Sequence, residues 1–188
     1  MIIIDDFVTD GNLLAKMKDV DSDFWKLGYH WWGGWWDSNS FMTVRHELIE
    51  TIYRYDCPPQ VHGIDLQGFE HWCGILNKDN KIGNEDGYAL NHHFDKDEGV
   101  GIGKPKLGTV YYPPMDEPQC KGGYLKIYDS YTGDRDAPYE LIAPVPNRLV
   151  IFDAAKMHAV TEITEGNRYA VAINLWDNKP TTEMVEEA

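Results

Sequence analysis

The chain has 188 residues, which suits one domain with a full hydrophobic core and is too short for two. Its 43% of apolar residues and 13% of aromatic residues exclude a disordered chain. The formal charge of −14 would repel a phosphate backbone, so nucleic acid is not an expected partner; a solubilising surface explains the charge best, with a cationic peptide substrate as the alternative.

The first predicted elements are a strand and a helix. Ile2–Ile4 is a β-branched run, and Asp10 is suited to cap a helix whose apolar face includes Leu13 and Met17. A second helix is predicted over residues 43–55, where two prolines follow it. The N-terminus lacks the basic and apolar regions of a signal peptide, and no stretch approaches about eighteen apolar residues. We therefore expect a cytoplasmic protein with no membrane partner, while its oligomeric state stays open.

Between these helices lies a tryptophan-rich segment, with two glycines that predict a turn between two aromatic pairs. The four side chains are Trp31, Trp32, Trp35 and Trp36. They could form an aromatic groove for a peptide or ring substrate. Packing of the helices onto a sheet is the favoured interpretation for most of them, because a soluble monomer cannot expose them all.

From about residue 61 the chain consists of short segments broken by Gly, Pro, Asn and Asp, a pattern typical of β-structure. Strands are predicted at 67–76, 86–92, 107–113, 123–129, 148–153, 157–163 and 168–176. Two helices followed by these strands predict a mainly β fold of the sandwich or jelly-roll class with flanking helices.

The three cysteines are Cys57, Cys73 and Cys120. They are widely spaced and form no Cys-x-x-Cys motif, so neither a disulfide framework nor a zinc ribbon is indicated. Reduced thiols in a cytoplasm fit this pattern best.

His93 and Asp95 lie two residues apart in a predicted extended segment, so both side chains can reach one ion. With His158 they would supply two imidazoles and one carboxylate. Such a set leaves three positions open on an octahedral ion, as in non-haem iron(II) oxygenases, whereas a structural zinc site is closed. His92 should point the other way, as an exposed or hydrogen-bonded histidine rather than a support for a ligand.

Residues 164–167 predict a hairpin turn between the strands that carry His158 and Arg168. If the turn is centred at Glu165, His158 pairs with Ala172, and Arg168 lies on the same face roughly 14 Å along the strand. A guanidinium within a β core requires an anion, which predicts an acidic cosubstrate. The alternative is a surface arginine that pairs with a nearby glutamate.

Several motifs taken together are similar to one known family. They are Ile-Ile-Ile-Asp-Asp-Phe-Val at 2–8, His93-Phe94-Asp95, Thr-Val-Tyr-Tyr at 109–112, Gly-Gly-Tyr-Leu-Lys-Ile-Tyr at 122–128, Arg-Leu-Val-Ile-Phe-Asp at 148–153, and His158 with Arg168 ten residues later. The chain thereby resembles the iron(II)- and 2-oxoglutarate-dependent dioxygenase superfamily, and in particular its prolyl 4-hydroxylase-like branch. The resemblance spans most of the chain.

This resemblance implies a double-stranded β-helix and one domain over residues 1–188. Residues 1–60 would form a helical N-terminal support, 61–178 the double-stranded β-helix core, and 179–188 an acidic tail. It also implies a dioxygenase that hydroxylates a C–H bond of a peptide or small-molecule substrate, a peptidyl proline among the options, with release of succinate and carbon dioxide. The expected cofactors are Fe(II), 2-oxoglutarate as cosubstrate and dioxygen, with ascorbate supporting turnover.

The resemblance also assigns residues. His93, Asp95 and His158 would bind the iron, and Arg168 would bind the far carboxylate of 2-oxoglutarate. A tyrosine often adds a hydrogen bond to that carboxylate. Tyr112 matches it best and Tyr111 is the fallback, because strand alternation lets only one of the two face inward. Further candidates for a substrate pocket are Tyr88, Asn174 and Trp176.

Two positions depart from the family pattern. Many members of the branch carry lysine in place of Arg168 and glycine in place of Asn147, which weakens an assignment to collagen-type hydroxylation. Residues 96–106 are rich in glycine and predict either a flexible loop over the metal or an ordinary connection. The competing functional hypotheses are a non-catalytic, cupin-like metal-binding or sensory barrel with a structural Arg168 and, third, a zinc hydrolase.

Overall fold

The computed structural model describes residues 1–36, 42–55, 66–97 and 103–181, together with the backbone of Val185–Glu186. The chain folds into a jelly roll in which a large, mostly antiparallel sheet faces a small antiparallel one. Short helices cover the outer face of the larger sheet. Within the described residues, every helix is too short to cross a membrane.

The N-terminal part alternates strands and helices. Its elements are β1 (Ile2–Ile4), α1 (Gly11–Met17), α2 (Asp23–Lys26), β2 (His30–Trp32) and α3 (Val44–Glu50), which continues as a π-helical turn (Thr51–Tyr55). Asp10 caps α1, as the sequence predicts, because its carboxylate accepts hydrogen bonds from the first-turn backbone amides. Thr43 caps α3 in the same way.

The larger sheet contains β1, β2 and five further strands, namely β3 (Gly68–Leu76), β5 (Leu107–Tyr112), β9 (Arg148–Phe152), β12 (Arg168–Trp176) and β13 (Val185–Glu186). Their order in the sheet is β1-β9-β5-β12-β3-β2-β13. The other strands are β4 (Tyr88–His93), β6 (Lys121–Gly122), β7 (Leu125–Tyr128), β8 (Tyr139–Ile142), β10 (His158–Thr161) and β11 (Ile163–Glu165). The smaller sheet has the order β4-β10-β7-β8, and a third sheet pairs β11 with β6.

Each of the predicted strand segments contains an observed strand, which confirms the mainly β prediction. Strand β8 was not predicted from the sequence. Three of its four residues are exposed, and it lies at the edge of the smaller sheet. An exposed edge strand lacks the buried alternation by which strands are recognised in a sequence.

The predicted hairpin between His158 and Arg168 is wrong. His158 pairs with His93 and Ile127 in the smaller sheet, whereas Ala172 lies in the larger sheet. The two strands therefore face each other across the core and are not hydrogen-bonded neighbours. Their side chains meet in the space between the sheets.

The chain changes sheets between β10 and β12. Strand β11 pairs with β6, and Gly166, with φ of 74°, turns the chain before β12 begins. Strand β12 has nine residues, eight of them buried, so its backbone groups need partners on both sides. Strands β3 and β5 supply those partners, which leaves no edge of β12 for β10.

Most of the tryptophans pack the helices onto the sheet, in agreement with the favoured interpretation. Trp32 stacks on His46 of α3 at a ring-centroid distance of 4.1 Å, and Trp35 stacks on Phe69 at 5.8 Å. Trp36 is the exception, with 43% of its surface exposed. The segment therefore joins helix α3 to the larger sheet and does not form an open aromatic groove.

Some predictions fall on residues outside the described part of the chain. They concern Cys57, the prolines after the second helix, the centre of the 96–106 loop and most of the acidic tail. The other two cysteines, Cys73 and Cys120, are free thiols.

Asn147 links the N-terminal segment to the larger sheet. Its backbone has φ of 60°, in the left-handed region where glycine and asparagine are favoured, which accounts for this departure from the family pattern. Its side chain bonds both the amide and the carbonyl of Val8, at 2.9 and 3.0 Å, and accepts a hydrogen bond from the Tyr111 hydroxyl at 2.6 Å. Asn147 thus tolerates the left-handed backbone conformation, and its side chain provides hydrogen-bond partners for the Val8 amide, the Val8 carbonyl and the Tyr111 hydroxyl.

We expect Asn147→Ala to lower the free energy of unfolding by about 3 kcal/mol, because it loses these hydrogen bonds and strains the backbone. Asn147→Gly loses the same bonds without the strain, so its loss should be smaller by about 1 kcal/mol. Urea denaturation followed by circular dichroism measures both values. Equal losses in the two variants would show that the left-handed backbone contributes nothing.

Candidate metal centre

The structure brings His93, Asp95 and His158 together. One ligand atom from each lies within 4.8 Å of the other two. The Oδ1 atom of Asp95 is 3.6 Å from Nε2 of His93 and 3.7 Å from Nε2 of His158. Among the described residues, this is the group of histidine, cysteine and acidic side chains whose spacing suits a metal ion.

Strand pairing and backbone hydrogen bonds orient both histidines. His158 on β10 lies directly opposite His93 on β4. Each ring places Nδ1 at 2.8 Å from a backbone carbonyl, that of Asn91 for His93 and that of Lys156 for His158. Since a carbonyl can only accept, each Nδ1 carries the proton and each Nε2 lone pair is free for a metal. Burial lowers the pKa of His158, which keeps this imidazole neutral and able to bind a cation.

Asp95 is held by two contacts from the opposite side of the core. Its backbone amide donates to the carbonyl of Ala154 at 2.9 Å. Its Oδ2 atom accepts a hydrogen bond from Nδ2 of Asn174 on β12, also at 2.9 Å. The second contact leaves Oδ1 directed at the two histidines, so Asn174 orients a ligand across the gap between the sheets.

The same amide nitrogen of Asn174 donates to Glu70 on β3 at 2.7 Å, and the Tyr29 hydroxyl donates to the other Glu70 oxygen. Burial raises the pKa of Glu70 to about 7, against the opposing effect of these hydrogen bonds. Sequence reasoning missed this carboxylate. The signal was available, because a glutamate in a segment that otherwise reads as a buried strand needs a specific reason to be there.

Arg168 is also buried, with 5% of its surface exposed, which excludes the alternative of a surface arginine. Its Nε donates to the carbonyl of Gly123 at 2.9 Å, and one terminal nitrogen donates to the Tyr112 hydroxyl at 3.1 Å. Within the described parts of the chain, no carboxylate lies at ion-pair distance from this guanidinium. A buried cation without a counterion is costly unless a ligand supplies the charge.

The adjacent tyrosines face opposite sides of β5. The Tyr112 ring lies 5.1 Å from the guanidinium of Arg168. Tyr111 points into the core beneath the helices and bonds Asn147. The structure therefore places Tyr112, and not the fallback Tyr111, beside the arginine.

One cavity of about 380 Å³ contains the candidate metal-binding triad and Arg168. It lies between the two sheets, and the smaller sheet supplies two of the three candidate ligands. The face that β12 turns to the cavity carries Arg168, Ala170, Ala172 and Asn174. Small alanines between the two polar residues leave room for a ligand that reaches from the guanidinium to the metal.

Two of the three candidate pocket residues lie elsewhere. Tyr88 is absent from the cavity lining, and its hydroxyl accepts a hydrogen bond from Lys126 on the outer side of the smaller sheet. Trp176 is buried at the end of β12, beyond the cavity. His92 points away from the metal, as predicted, and is hydrogen-bonded to Glu85 and Tyr128. The Tyr88 ring instead packs against the outward-facing His92, with ring centroids 4.4 Å apart.

A family model, that of the 2OG-Fe(II) oxygenase superfamily, matches residues 80–176, which is more than half of the chain. The protein belongs to this superfamily. The matched region contains the triad, Tyr112 and Arg168, but neither Tyr29 nor Glu70. A search of curated protein sequences finds no match.

Solved structures of other proteins share the fold. A prolyl-4-hydroxylase from Pseudomonas putida aligns with a TM-score of 0.62 at 13% identity, over 97% of this chain and 87% of that one. A Trichoplax adhaerens prolyl hydroxylase in complex with a hypoxia-inducible factor peptide gives 0.50 at 16% identity, over 94% and 83%. The iron-bound HygX from Streptomyces hygroscopicus gives 0.50 at 12% identity, over 99% and 85%.

The superfamily implies Fe(II), 2-oxoglutarate and dioxygen, and the residues of this site fit them. Two imidazoles and one carboxylate form a set with open positions, which is the preference of non-haem iron(II). The buried Arg168 suits the far carboxylate of 2-oxoglutarate, because its planar fork can bind a carboxylate through two hydrogen bonds.

We expect Asn174→Ala to weaken iron(II) binding by about 10- to 100-fold, because Asp95 loses the donor that orients it. Tyr88→Phe is the control, since Tyr88 lies outside the cavity, and it should bind iron(II) like the parent. Competition with a chromogenic chelator under nitrogen measures both affinities. Unchanged affinity in Asn174→Ala would show that Asp95 needs no such support.

Glu70 should make the stability of the metal-free protein depend on pH. The unfolded chain releases this proton near its usual pKa of 4.5, whereas the folded protein releases it only near 7, so the folded state loses stability as pH rises between these values. Glu70→Gln has no proton to release. We therefore expect the variant to gain stability relative to the parent over this range, on the order of 2–3 kcal/mol. Urea denaturation at several pH values tests this, and a constant difference would contradict it.

Proposed function

We propose that this protein is an Fe(II)- and 2-oxoglutarate-dependent dioxygenase that hydroxylates a C–H bond and releases succinate and carbon dioxide. One observation carries the proposal: an open His-Asp-His triad shares one cavity with a buried arginine that has no acidic partner among the described residues. A metal-binding barrel without catalysis would have no need to keep an uncompensated guanidinium beside the metal.

The protein's own groups would have distinct tasks. His93, Asp95 and His158 would hold iron(II) through three ligand atoms and leave the rest of its coordination sphere open. When bound, the iron supplies activation of dioxygen, coupled to the oxidative decarboxylation of 2-oxoglutarate. Arg168 would fix the far carboxylate of the cosubstrate. Tyr112 would assist, because its hydroxyl accepts from Arg168 and still has its own hydrogen to donate.

The walls of the cavity would protect the reaction from water. Val110, Leu125, Phe152 and Val160 line its middle, where they contribute apolar surface around the metal site. Such a lining limits the access of water to a reactive oxidant and strengthens the pairing of Arg168 with an anion. Large apolar side chains thus serve the chemistry as well as the packing of the two sheets.

The substrate would be a peptide or a small molecule. Peptidyl proline is the first choice for a test, supported by the fold that this chain shares with prolyl hydroxylases, one of them in complex with a peptide. We propose a screen of prolyl peptides and small molecules for stimulated conversion of 2-oxoglutarate, with Fe(II) and ascorbate present and His158→Ala as the blank.

The cosubstrate site gives the sharpest test of the proposal. Arg168→Gln should raise the KM for 2-oxoglutarate by about 100-fold or more, because it removes two charge-assisted hydrogen bonds. Tyr112→Phe should raise it by about tenfold, since one neutral bond is lost. Tyr111→Phe is the matched control: it deletes a hydroxyl on the other face of β5, so it should reduce stability and leave the KM unchanged.

Succinate formation measures turnover, and the visible charge-transfer band of anaerobic iron(II) with 2-oxoglutarate measures binding. If the iron-loaded protein forms no such band and yields no succinate, even without a primary substrate, the non-catalytic barrel becomes the better explanation.

A further inference from the structure

We propose that Glu70 and the rings of Tyr29 and Trp72 form a subsite for a cationic group of the primary substrate, an ammonium or a guanidinium. This inference rests on the proposed oxygenase function and adds the chemical class of the substrate. The three residues lie outside the region that matches the superfamily model, and all three line the metal cavity.

Among the residues that the structure describes, Glu70 has no counterion. Its carboxylate is 2% exposed and accepts hydrogen bonds from Tyr29 and Asn174, which are both neutral. No lysine, arginine or histidine in the described ranges forms an ion pair with it. A carboxylate has about four acceptor sites, so these two bonds leave at most two, and the indole of Trp176 also lies close to the group. A cationic ligand in the cavity would supply the missing charge and the missing donors.

The residues around Glu70 suit a cation as well. The rings of Tyr29 and Trp72 lie 5.1 Å apart at an interplanar angle of 47°, and both contribute to the cavity wall beside the carboxylate. Aromatic faces attract ammonium and guanidinium groups, most strongly where water is displaced. An acid bordered by two aromatic rings is a combination that favours a cation over a neutral group of the same shape.

The position of Glu70 separates this subsite from the cosubstrate site. In the pairing of β12 with β3, Arg168 lies opposite Leu76 and Asn174 lies opposite Glu70. Six residues of extended strand separate Arg168 from Asn174, or roughly 20 Å of backbone. The arginine end of the cavity would take the dicarboxylate, and the glutamate end is left for the substrate.

The subsite also lies next to the metal. The amide nitrogen of Asn174 is 2.7 Å from Glu70 and 2.9 Å from Asp95, so one amide group separates the proposed cation site from a metal ligand. The oxidised C–H bond would then lie within a few bonds of the cationic group. A lysyl side chain, an arginyl side chain and a small amine all meet this condition.

The charge of the whole chain agrees with a cationic substrate. A formal charge of −14 would attract cations toward the protein and raise their rate of encounter. Lys96 also lines the cavity, but its side chain is exposed, so water screens its charge. Among the described lining residues, Arg168 remains the buried cation, and it lies at the other end.

The test uses two matched pairs of probes on the anaerobic protein loaded with Fe(II) and 2-oxoglutarate. The first pair is acetyl-Gly-Lys-Gly-amide and the same peptide with norleucine in place of lysine. The second pair is n-butylamine and 1-butanol. The two members of each pair differ in charge and are nearly equal in size. The change in the charge-transfer band on titration gives a dissociation constant for each probe.

In the parent protein we expect the cationic member of at least one pair to bind about tenfold more tightly, or better. A preference in the peptide pair would indicate a basic residue within a peptide, and a preference in the amine pair alone would indicate a free amine. Glu70→Gln keeps the size and the hydrogen-bonding capacity of the side chain, and it should reduce the ratio to about one. Glu162→Gln makes the same charge change on an exposed side chain outside the cavity and should keep the parental ratio.

The test distinguishes failure of the proposed subsite from failure of the proposed oxygenase function. A normal band without any preference for the cationic probes, or a preference that survives in Glu70→Gln, would overturn the subsite and leave the proposed function intact. In that case Glu70 would act only to position Asn174. Absence of the band in the parent would overturn the proposed oxygenase function, and the subsite with it.

Discussion

The antiparallel pairing of β12 with β3 is the constraint on which the site depends. It sets Arg168, Asn174 and Glu70 on the faces that these strands turn to the cavity, in a fixed order and at fixed spacing. Neither Arg168 nor Glu70 has an oppositely charged side chain as its partner within the described residues. Buried polar groups of this kind are retained where a ligand completes their interactions, so strand register determines where ligands of each charge can bind.

Strand pairing also positions the candidate metal ligands of the smaller sheet. Pairing of β4 with β10 sets His93 opposite His158, and the chain beyond β4 brings Asp95 against both. Asn174 then bridges the sheets, since it holds Asp95 from the larger sheet. The metal centre therefore depends on the distance between the two sheets, which the apolar residues between them maintain.

The N-terminal segment acts on the site through packing and through one side chain. Its helices bury the outer face of β3 and β12, where Phe69, Val171 and Ile173 lie in the main core. Tyr29, just before β2, extends a hydroxyl to Glu70. If Glu70 binds the substrate, this region contributes to specificity as well as to stability, although it lies outside the residues that match the family model.

Much of the fold and of the candidate site could be predicted from the sequence, because the sequence signals for them are local. The alternation of side chains along a strand put His93 and Asp95 on one side, separated Tyr111 from Tyr112, and located the strands of the core. The resemblance to a known family then assigned Arg168, and the structure places that arginine in the cavity with the triad.

Other features depended on contacts between distant parts of the chain. The predicted turn at residues 164–167 suggested that β10 and β12 are neighbours. A buried central strand needs hydrogen-bond partners on both sides, however, and for β12 these partners are β3 and β5. Tyr29 and Glu70 are 41 positions apart, and Asn174 is 104 positions from Glu70.

The sequence by itself thus determined the chemical groups of the metal site and the faces on which they project, because both follow from residue type and from a period of two. Only the tertiary structure decided which strands pair and which buried charges lack a partner. Those outcomes follow from competition among all strands for hydrogen bonds and for burial, and no short segment contains that information.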